Sequence, residues 1–404
     1  MPDDSVVETL DLVPTGPGTL VGVTFAAKEI FEVAGHPRRT GSSIVLPDVA
    51  AQDAEAISLL RAAGARLTAR STSHEFAWGI TNRRADGSGT ANPLLPGRIS
   101  GGSSGGSAAL VASGAVDLGL GSDTAGSCRI PAAFCGILGW KATNGLVPMN
   151  GCLPLAPSFD CGGLMARSVR GLRAGAGVLG GDAHPGRSAD SNESLGARVA
   201  VLDSNGWRLV DDERRRAHDA IASRLNADVV ADLPQPVEIF EAFGVLQASE
   251  VLHAHRDVLG IWPAESDRYP GFVRERLRAA ESRPDAQVDR ARSTHERLLA
   301  AFDELWDAAD VLLTVLPCGP TSVDSPDTVT TPDGPRALRD VLVPWTCLAN
   351  MAGCPAVVVP VGRDETGAPI AVQLMSAPGT DLALIERLGE WFGDTPGVSC
   401  SPRE

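Results

Sequence analysis

Lysine is almost absent from this chain. Lys28 and Lys141 are the only two lysines among 35 basic residues, so arginine supplies nearly every positive charge. Arginine stays protonated in proteins, whereas a desolvated lysine can become a neutral base. The two positions are therefore candidates for roles that need an amine. The alternative is that both lysines are chance remnants of a compositional drift towards arginine.

Long apolar runs, CxxC pairs and a net positive charge are also lacking. No stretch of about 18 uninterrupted apolar residues occurs, which argues against a membrane-spanning helix. Residues 1–10 have neither the basic flank nor the apolar core of a signal peptide, so we expect a cytoplasmic protein. The eight cysteines lie mostly in apolar contexts, which indicates reduced core thiols. A net charge of −15 opposes nucleic-acid binding.

Short apolar segments alternate with helical patterns along the whole chain. Segments 65–69, 310–316 and 369–375 are typical of buried strands, and 380–392 carries an apolar stripe at helical spacing. Segment 45–67 predicts a helix that begins near Pro47 and stops near Gly64, and 182–196 predicts a loop between the two halves of the chain. The unsegregated alternation predicts an α/β fold in which helices cover a sheet.

The segment between Ile99 and Asn144 combines small residues in an unusual way. By composition GGSSGG would be a flexible linker, but it leads directly into an apolar helix-like and strand-like passage. Its glycines are therefore expected inside the core, where they permit close backbone approach. It lacks the Lys and Ser or Thr of a phosphate-binding P-loop.

The turn GSDTAGS at 121–127 follows a predicted strand and presents Ser127. Successive N–H groups in such a turn can stabilise an oxyanion, which makes the Ser127 hydroxyl a candidate nucleophile that needs a base. None of the seven histidines lies in a G-x-S-x-G elbow with a serine, so a His-based triad is disfavoured. His253 and His255, two apart on a predicted helix, face different sides, which argues against a metal pair.

Lys28 is the alternative base. It follows eight uncharged residues in a pattern typical of a buried strand, and burial lowers the pKa of an amine. The other interpretation is a lysine that snorkels at a strand end. The residues alone leave Ser103, Ser104 and Ser107 open as partners of this base.

Together these segments resemble the amidase signature family of serine hydrolases. The resemblance is carried by VTFAAKEIFEVAG, GGSSGGSAA and GSDTAGSCRIPAAFCG, and TSHEFAWGITN, LMARSV and LANMAGCPAVVVPVG extend it over nearly the whole chain. The chain looks closest to compact indole-acetamide hydrolase-like and allophanate hydrolase-like amidases. The resemblance implies one domain over 1–404 with a mixed twisted sheet covered by helices on both faces. Its signature core is expected at about 20–180, and a helical region that shapes the substrate site at about 206–345.

The resemblance also implies catalytic roles for named residues. Ser127 is expected as the nucleophile, Ser103 as the bridging hydroxyl on a cis peptide and Lys28 as the base. The oxyanion hole is expected from the backbone amides of Thr124, Ala125, Gly126 and Ser127. Phe76, Trp78 and Trp345 lie in segments that line the acyl site in the resembled enzymes, although each is equally compatible with plain core packing.

The chain departs from the family pattern at Glu29, where the family usually has Asp, and at Ala125, where it has Gly. Ala125 requires its turn to avoid glycine-only dihedral angles but keeps the backbone donor. Asp123 and Arg129 are expected to pair and brace the Ser127 turn, the alternative being that Arg129 binds a substrate carboxylate.

Two residues near the predicted site are rivals for its chemistry. Lys141 in GWKATNG is expected to have a structural role. Cys128 stands next to the nucleophile, but it has no environment that would lower its pKa, and core packing is favoured.

The predicted reaction is hydrolysis of the C–N bond of a small-molecule amide through an acyl-enzyme on Ser127. It gives a carboxylic acid and ammonia or an amine, with no metal or organic cofactor, no nucleic acid and no membrane partner; a homodimer is kept as a hypothesis. One alternative is an amidase-fold transferase, either a tRNA-dependent amidotransferase A-type subunit or an acyl-transfer enzyme of a biosynthetic pathway. A binding scaffold with a vestigial site would have a damaged triad, whereas all three positions are intact.

Overall fold

The computed structural model describes residues 3–44, 46, 48–84, 86–180, 195–202 and 211–395. Most of the predicted loop 182–196 lies outside the described residues. Within these ranges the chain forms an eleven-stranded mixed sheet surrounded by helices, and a separate two-stranded sheet. The α/β prediction is confirmed.

Thirteen strands are described. They are β1 (Val6–Leu12), β2 (Thr24–Lys28), β3 (Arg66–Ser71), β4 (Leu118–Asp123), β5 (Leu138–Lys141), β6 (Cys161–Ala166), β7 (Val199–Leu202), β8 (Val229–Ala231), β9 (Val311–Val315), β10 (Thr328–Thr331), β11 (Gly334–Ala337), β12 (Ala356–Arg363) and β13 (Pro369–Ser376). The large sheet has the order β1-β3-β2-β4-β6-β5-β12-β13-β9-β7-β8, and β10 pairs with β11. Strand β2 is parallel to β3 and β4, and β7 to β8 and β9, while the other neighbours are antiparallel. The sheet is therefore mixed, as expected.

Ten α-helices lie between and after these strands in the described ranges. They are α1 (Glu55–Ala62), α2 (Gly105–Ala112), α3 (Arg129–Phe134), α4 (Val169–Gly180), α5 (Asp212–Arg224), α6 (Pro236–His253), α7 (Gly271–Glu281), α8 (Asp285–Ala308), α9 (Leu338–Met351) and α10 (Asp381–Phe392). A π-helix, Ala254–Val258, continues α6, and 3-10 turns occur at Asp3–Ser5, Glu75–Ala77 and Ser266–Arg268.

Helix α1 starts later than the sequence pattern predicts. It begins at Glu55, because Val49 pairs with Pro37 in an isolated bridge and the residues that follow form bends. Pro47 lies outside the described residues. The predicted end is correct: Gly64 follows the helix with φ +102°, in the left-handed region that favours glycine.

The central strands of the large sheet are buried on both faces, which explains why they read as continuous apolar runs. Along β12, Val357 and Val359 belong to one hydrophobic cluster and Val358 to another, as the alternation of side chains in a strand requires. Helices α1, α4 and α10 contribute to the first cluster, α2, α3, α8 and α9 contribute to the second, and α6 contributes to both.

In the described ranges, no helix combines the length and the apolar character needed to cross a bilayer. Seven cysteines are described, all as free thiols; six are buried and Cys152 is half-buried. The expectation of unpaired core thiols therefore holds for these seven, while Cys400 lies outside the described residues.

The neighbouring parallel strands β2 and β4 position the predicted site. Ala27 stands opposite Leu120 in this pair, so the carboxyl ends of the two strands lie side by side. Lys28 is the last residue of β2, and Ser122 and Asp123 are the last residues of β4. The sheet thus brings the only amine of this region next to the small-residue turn.

Candidate active site

Lys28 is completely buried, and its Nζ atom contacts two hydroxyls. It lies 2.7 Å from Ser103 Oγ and 2.8 Å from Ser122 Oγ. Burial lowers the pKa of Lys28 to about 8, because the charged amine is poorly solvated there. A neutral amine is consequently accessible near neutral pH. Ser122 was not foreseen, although its place at the end of the strand beside β2 was a usable signal.

Ser103 lies in the Gly/Ser run, two residues before the start of α2, and its peptide bond with Gly102 is cis. Its carbonyl accepts a hydrogen bond from the His74 backbone N–H at 3.1 Å. A Cβ atom on Gly105 would come within 2.5 Å of Ser100 Oγ, so this glycine is required by close packing. The run is therefore part of the core, as predicted, and not a linker.

Ser127 lies in the turn between β4 and α3. Its carbonyl accepts a hydrogen bond from the Ser104 N–H at 3.1 Å, which joins the two small-residue segments. Ser127 lines a narrow cavity of about 30 Å³ together with Thr124, Ala125 and Trp78. Within the described ranges, no hydrogen bond joins the Ser127 hydroxyl to Lys28 or Ser103.

A buried ion pair braces this turn. Arg129 Nη2 lies 2.8 Å from Asp123 Oδ1, and neither side chain has solvent-accessible surface. Burial acts to raise the pKa of Asp123, but Arg129 and the backbone N–H donors outweigh it and hold that pKa well below its ordinary value. Arg129 also donates to Asn350 Oδ1 at 2.7 Å and to Gln373 Oε1 at 2.5 Å. The predicted bracing pair is confirmed, and the guanidinium of Arg129 is engaged inside the protein.

The N–H group of Gly126, which is expected in the oxyanion hole, already has an acceptor. Its N–H donates to Asp123 Oδ1 at 2.7 Å, so in this conformation it is directed at the carboxylate of its own turn. Its φ is +113°, and a Cβ atom there would lie 2.7 Å from Thr346 Cβ, so a glycine is required for its shape. In the described part of the chain, three backbone N–H groups of this turn have no hydrogen-bond acceptor and belong to residues that line the cavity: Thr124, Ala125 and Ser127.

The φ angle of Ala125 is not positive, so this residue fits its turn without glycine-like dihedral angles. The hydroxyl of the neighbouring Thr124 donates to Asp160 Oδ1 at 2.6 Å. Asp160 Oδ2 in turn accepts the N–H groups of Leu155 and Ala156 at 2.8 and 3.0 Å. The cavity side of the turn is thus fixed by hydrogen bonds to a second loop.

Of the three predicted aromatic residues, the structure brings Trp78 to this cavity. The ring of Phe76 is buried against His255 and Tyr269, with ring centroids 4.7 and 5.2 Å away. Trp345 lines a separate cleft beside β8. The motif segments lie near the site, but the sequence does not show on which side of the backbone each ring lies.

Three further lining residues were missed by the sequence analysis. They are Gln247 on α6, Arg276 on α7 and Arg339 on α9. Gln247 Oε1 accepts a hydrogen bond from Trp78 Nε1 at 3.3 Å. All three lie more than a hundred positions from Ser127 in helices whose sequence gives no catalytic signal.

Lys141 and Cys128, the two rival candidates, both lie in surroundings that indicate a structural role. Lys141 Nζ donates to the carbonyls of Ala349 and Cys354 at 2.9 and 2.7 Å and to Asn144 Oδ1 at 3.0 Å, so its amine ties α9 to the following turn. Cys128 is fully buried, and burial raises the pKa of its thiol. Its thiol is thus poorly suited to act as a nucleophile. No group of three metal-ligating side chains occurs in the described ranges.

Comparison with known proteins identifies the family of this chain. The amidase family model matches residues 13–385. The chain is 32% identical to the A-type subunit of the glutamyl-tRNA(Gln) amidotransferase of Methanospirillum hungatei, over 95% of this chain and 96% of that protein. It is 31% identical to the indoleacetamide hydrolase of Pseudomonas savastanoi, over 91% and 82% respectively. A crystal structure of an amidase superimposes with a TM-score of 0.82 at 30% identity, covering 93% of this chain and 84% of the other. The predicted family and enzyme class are confirmed: the chain belongs to the amidase family.

Proposed function

We propose that Lys28, Ser103 and Ser127 are the catalytic triad with which this amidase hydrolyses small-molecule amides through an acyl-enzyme. The observation that carries the proposal is the contact of 2.7 Å between Lys28 Nζ and Ser103 Oγ in a fully buried environment. A lysine there has a lowered pKa and a hydroxyl neighbour, which are the two properties that a base acting through a relay needs.

The first half-reaction starts with neutral Lys28. It takes the proton of Ser103, which takes the proton of Ser127, while Ser127 Oγ forms a bond to the amide carbonyl carbon. The negative charge moves to the carbonyl oxygen, where the open N–H groups of Thr124, Ala125 and Ser127 would stabilise it. The relay requires that the Ser127 hydroxyl turns towards Ser103 Oγ when the substrate is bound.

The remaining steps return the proton and release the product. Lys28 and Ser103 protonate the leaving nitrogen, the C–N bond breaks, and the acyl group stays on Ser127. A water molecule then loses a proton to the same relay and attacks the acyl ester, which releases the carboxylic acid and restores the Ser127 hydroxyl. Atoms and charge balance with amide and water as the only reactants.

A fluorophosphonate probe tests the nucleophile. We expect an aryl fluorophosphonate to label the purified protein on Ser127, as located by peptide mass mapping, and to stop its amidase activity. The Ser127→Ala variant should remain unlabelled and inactive, whereas Ser104→Ala should still be labelled. Label on another residue of the active wild-type protein would overturn the assignment.

The chain is similar to the A subunit of an amidotransferase, so transfer of an amide nitrogen or an acyl group is the second candidate function. The two functions differ in what the chain does alone. We expect the purified protein, without partner subunits or tRNA, to release ammonia from simple primary amides such as phenylacetamide. Ammonia release only after the addition of a partner or an acyl acceptor would favour the transferase.

We further infer that the chain forms one domain, because β12 and β13 lie in the same sheet as β2 and β4. A location in the cytoplasm and a homodimer stay predictions. Light scattering coupled to size-exclusion chromatography measures the mass in solution, and a value of about 42 kDa would contradict the dimer, given the chain mass of 41.9 kDa.

A further inference from the structure

A second cavity adjoins the one that contains Ser127. Its volume is about 540 Å³, and it shares four lining residues with the narrow cavity: Trp78, Gln247, Arg276 and Arg339. The wider space is therefore the vestibule of the site, and the shared residues stand where the two meet. A group that extends from an amide bound at Ser127 into the wider cavity passes them.

Arg276 stands at this junction without a carboxylate partner in the described ranges. Its Nη1 donates to the Trp78 carbonyl at 3.1 Å, and its guanidinium lies over the rings of Trp78 and Phe272, 5.2 and 5.6 Å from their centroids. Burial, followed by the nearby positive charge of Arg339, lowers the pKa of Arg276 to about 10, while Asp327 acts in the opposite direction. The protonated form is thus destabilised by its surroundings.

Arg339 has a similar environment. It lies in the first turn of α9, and its guanidinium is 5.1 Å from the ring centroid of Phe240. Burial lowers the pKa of Arg339, while the neighbouring Asp340 acts in the opposite direction. In the part of the chain that is described, it forms no ion pair and no side-chain hydrogen bond. One carboxylate, that of the exposed Glu241, lines the wider cavity, and it is paired with neither arginine.

Among the described residues, the three buried arginines are paired with acids, whereas Arg276 and Arg339 are half-buried. Arg70, Arg129 and Arg214 all have a carboxylate within 3.4 Å. Two neighbouring, partly desolvated guanidinium groups that lack such a partner repel each other, and a bound anion would remove this repulsion. Gln247 adds a donor, because its Oε1 is used by Trp78 and its NH₂ group has no acceptor among the described residues.

We propose that Arg276 and Arg339 together bind one carboxylate on the acyl part of the substrate, so that the preferred substrate is a primary amide that is the monoamide of a dicarboxylic acid. This inference rests on the proposed function, because it places the amide at Ser127. The leaving group of a primary amide is ammonia, so the anion belongs to the acyl part. Guanidinium groups suit a carboxylate because their N–H donors match its two oxygens.

Matched amides test the proposal. The probes are malonamate, succinamate, glutaramate and adipamate, each compared with a neutral primary amide of equal chain length. We expect the best carboxylated amide to have a kcat/KM about 10- to 100-fold above that of its neutral match. Arg339→Gln and Arg276→Gln should remove most of this preference, chiefly by raising KM for the carboxylated amide. Arg339→Lys should retain part of it.

A control arginine and a binding measurement complete the design. Arg278 is exposed on the same helix as Arg276 and lines neither cavity, so Arg278→Gln should keep the full preference. In a Ser127→Ala background, calorimetry should show binding of the preferred carboxylated amide that weakens with salt and is lost with Arg339→Gln. Thermal unfolding of each variant checks that it is folded.

The outcomes separate the two proposals. Equal kcat/KM for carboxylated and neutral amides, or an unchanged preference in both arginine variants, overturns the anion site and leaves the triad standing. Arginine-dependent binding without turnover by the wild-type protein supports the anion site and overturns the triad. Neither binding nor turnover of any of the four carboxylated probes overturns the anion site.

Discussion

Lys28 Nζ and Ser103 Oγ are 2.7 Å apart, although 75 positions separate the two residues in the chain. Strand β2 delivers the lysine and the segment before α2 delivers the serine, so two elements that are distant in sequence share one hydrogen bond. Both side chains are buried from solvent. Whether Lys28 can accept a proton from Ser103 therefore depends on the protonation state of the Lys28 amine.

The two lysines should respond differently to replacement by arginine. Lys28→Arg should lower kcat by about 10²–10⁴, because arginine cannot act as a neutral base. Lys141→Arg should keep most of kcat in the folded protein but lower the unfolding temperature, because three acceptors surround the Lys141 amine. Steady-state kinetics and thermal unfolding measure both effects. Equal retained activity in the two variants would contradict the role of Lys28.

Activity should rise with pH in the range where Lys28 loses its proton. With a pKa of about 8, about one tenth of the amine is neutral at pH 7 and most of it is neutral at pH 9. Because the neutral form is the base, kcat/KM should increase nearly tenfold per unit below pH 7 and level off above pH 8. A pH–rate profile from 6 to 10 with a neutral amide checks this. A rate that falls across this range would be incompatible with a neutral lysine base.

The two hydroxyls that contact Lys28 should be distinguishable. Ser103→Ala removes the proposed relay and should lower kcat by about 10²–10⁴. Ser122→Ala removes only an acceptor for the amine, so it should lower kcat by about tenfold or less. It should also move the rising limb of the pH profile to lower pH, since losing an acceptor disfavours the charged amine. A larger loss of kcat in Ser122→Ala than in Ser103→Ala would assign the relay to Ser122.

The ion pair of Asp123 and Arg129 should stabilise the fold. Arg129→Gln leaves the Asp123 carboxylate buried without its counter-charge, and the expected loss is about 3–5 kcal/mol of unfolding free energy. The matched control is Arg66→Gln, which breaks an exposed pair with Asp11 and should cost about 0–1 kcal/mol. Urea denaturation compares the two variants. Similar losses in both would mean that the buried pair does not brace the turn.

The sequence predicted much of this architecture because local patterns carried it. Alternating apolar segments predicted strands such as β9 and β13, and the stripe after Thr380 predicted α10. The start of α1 was wrong because a bridge between Pro37 and Val49 overrides the local pattern. Non-local pairing of this kind leaves no periodic signal in a sequence.

The chemistry of the site was predictable only in part. The scarcity of lysine and the small-residue turn singled out Lys28 and Ser127, and the family resemblance added Ser103. Gly126 illustrates the limit: its N–H belongs to the predicted turn, but the position of the Asp123 carboxylate decides where that N–H donates. The geometry of a turn depends on the side chains that fold back onto it.

The sequence by itself determined the fold class, the family and the residue types able to perform the reaction, because these depend on periodicity, composition and short motifs. Tertiary structure alone decided that Ser122 contacts the lysine, that Trp78 reaches the cavity while Trp345 does not, and that Arg276 and Arg339 meet beside Ser127. The physical reason is that helices and strands from distant parts of the chain pack at positions set by the whole core, so contacts between their side chains depend on the complete fold.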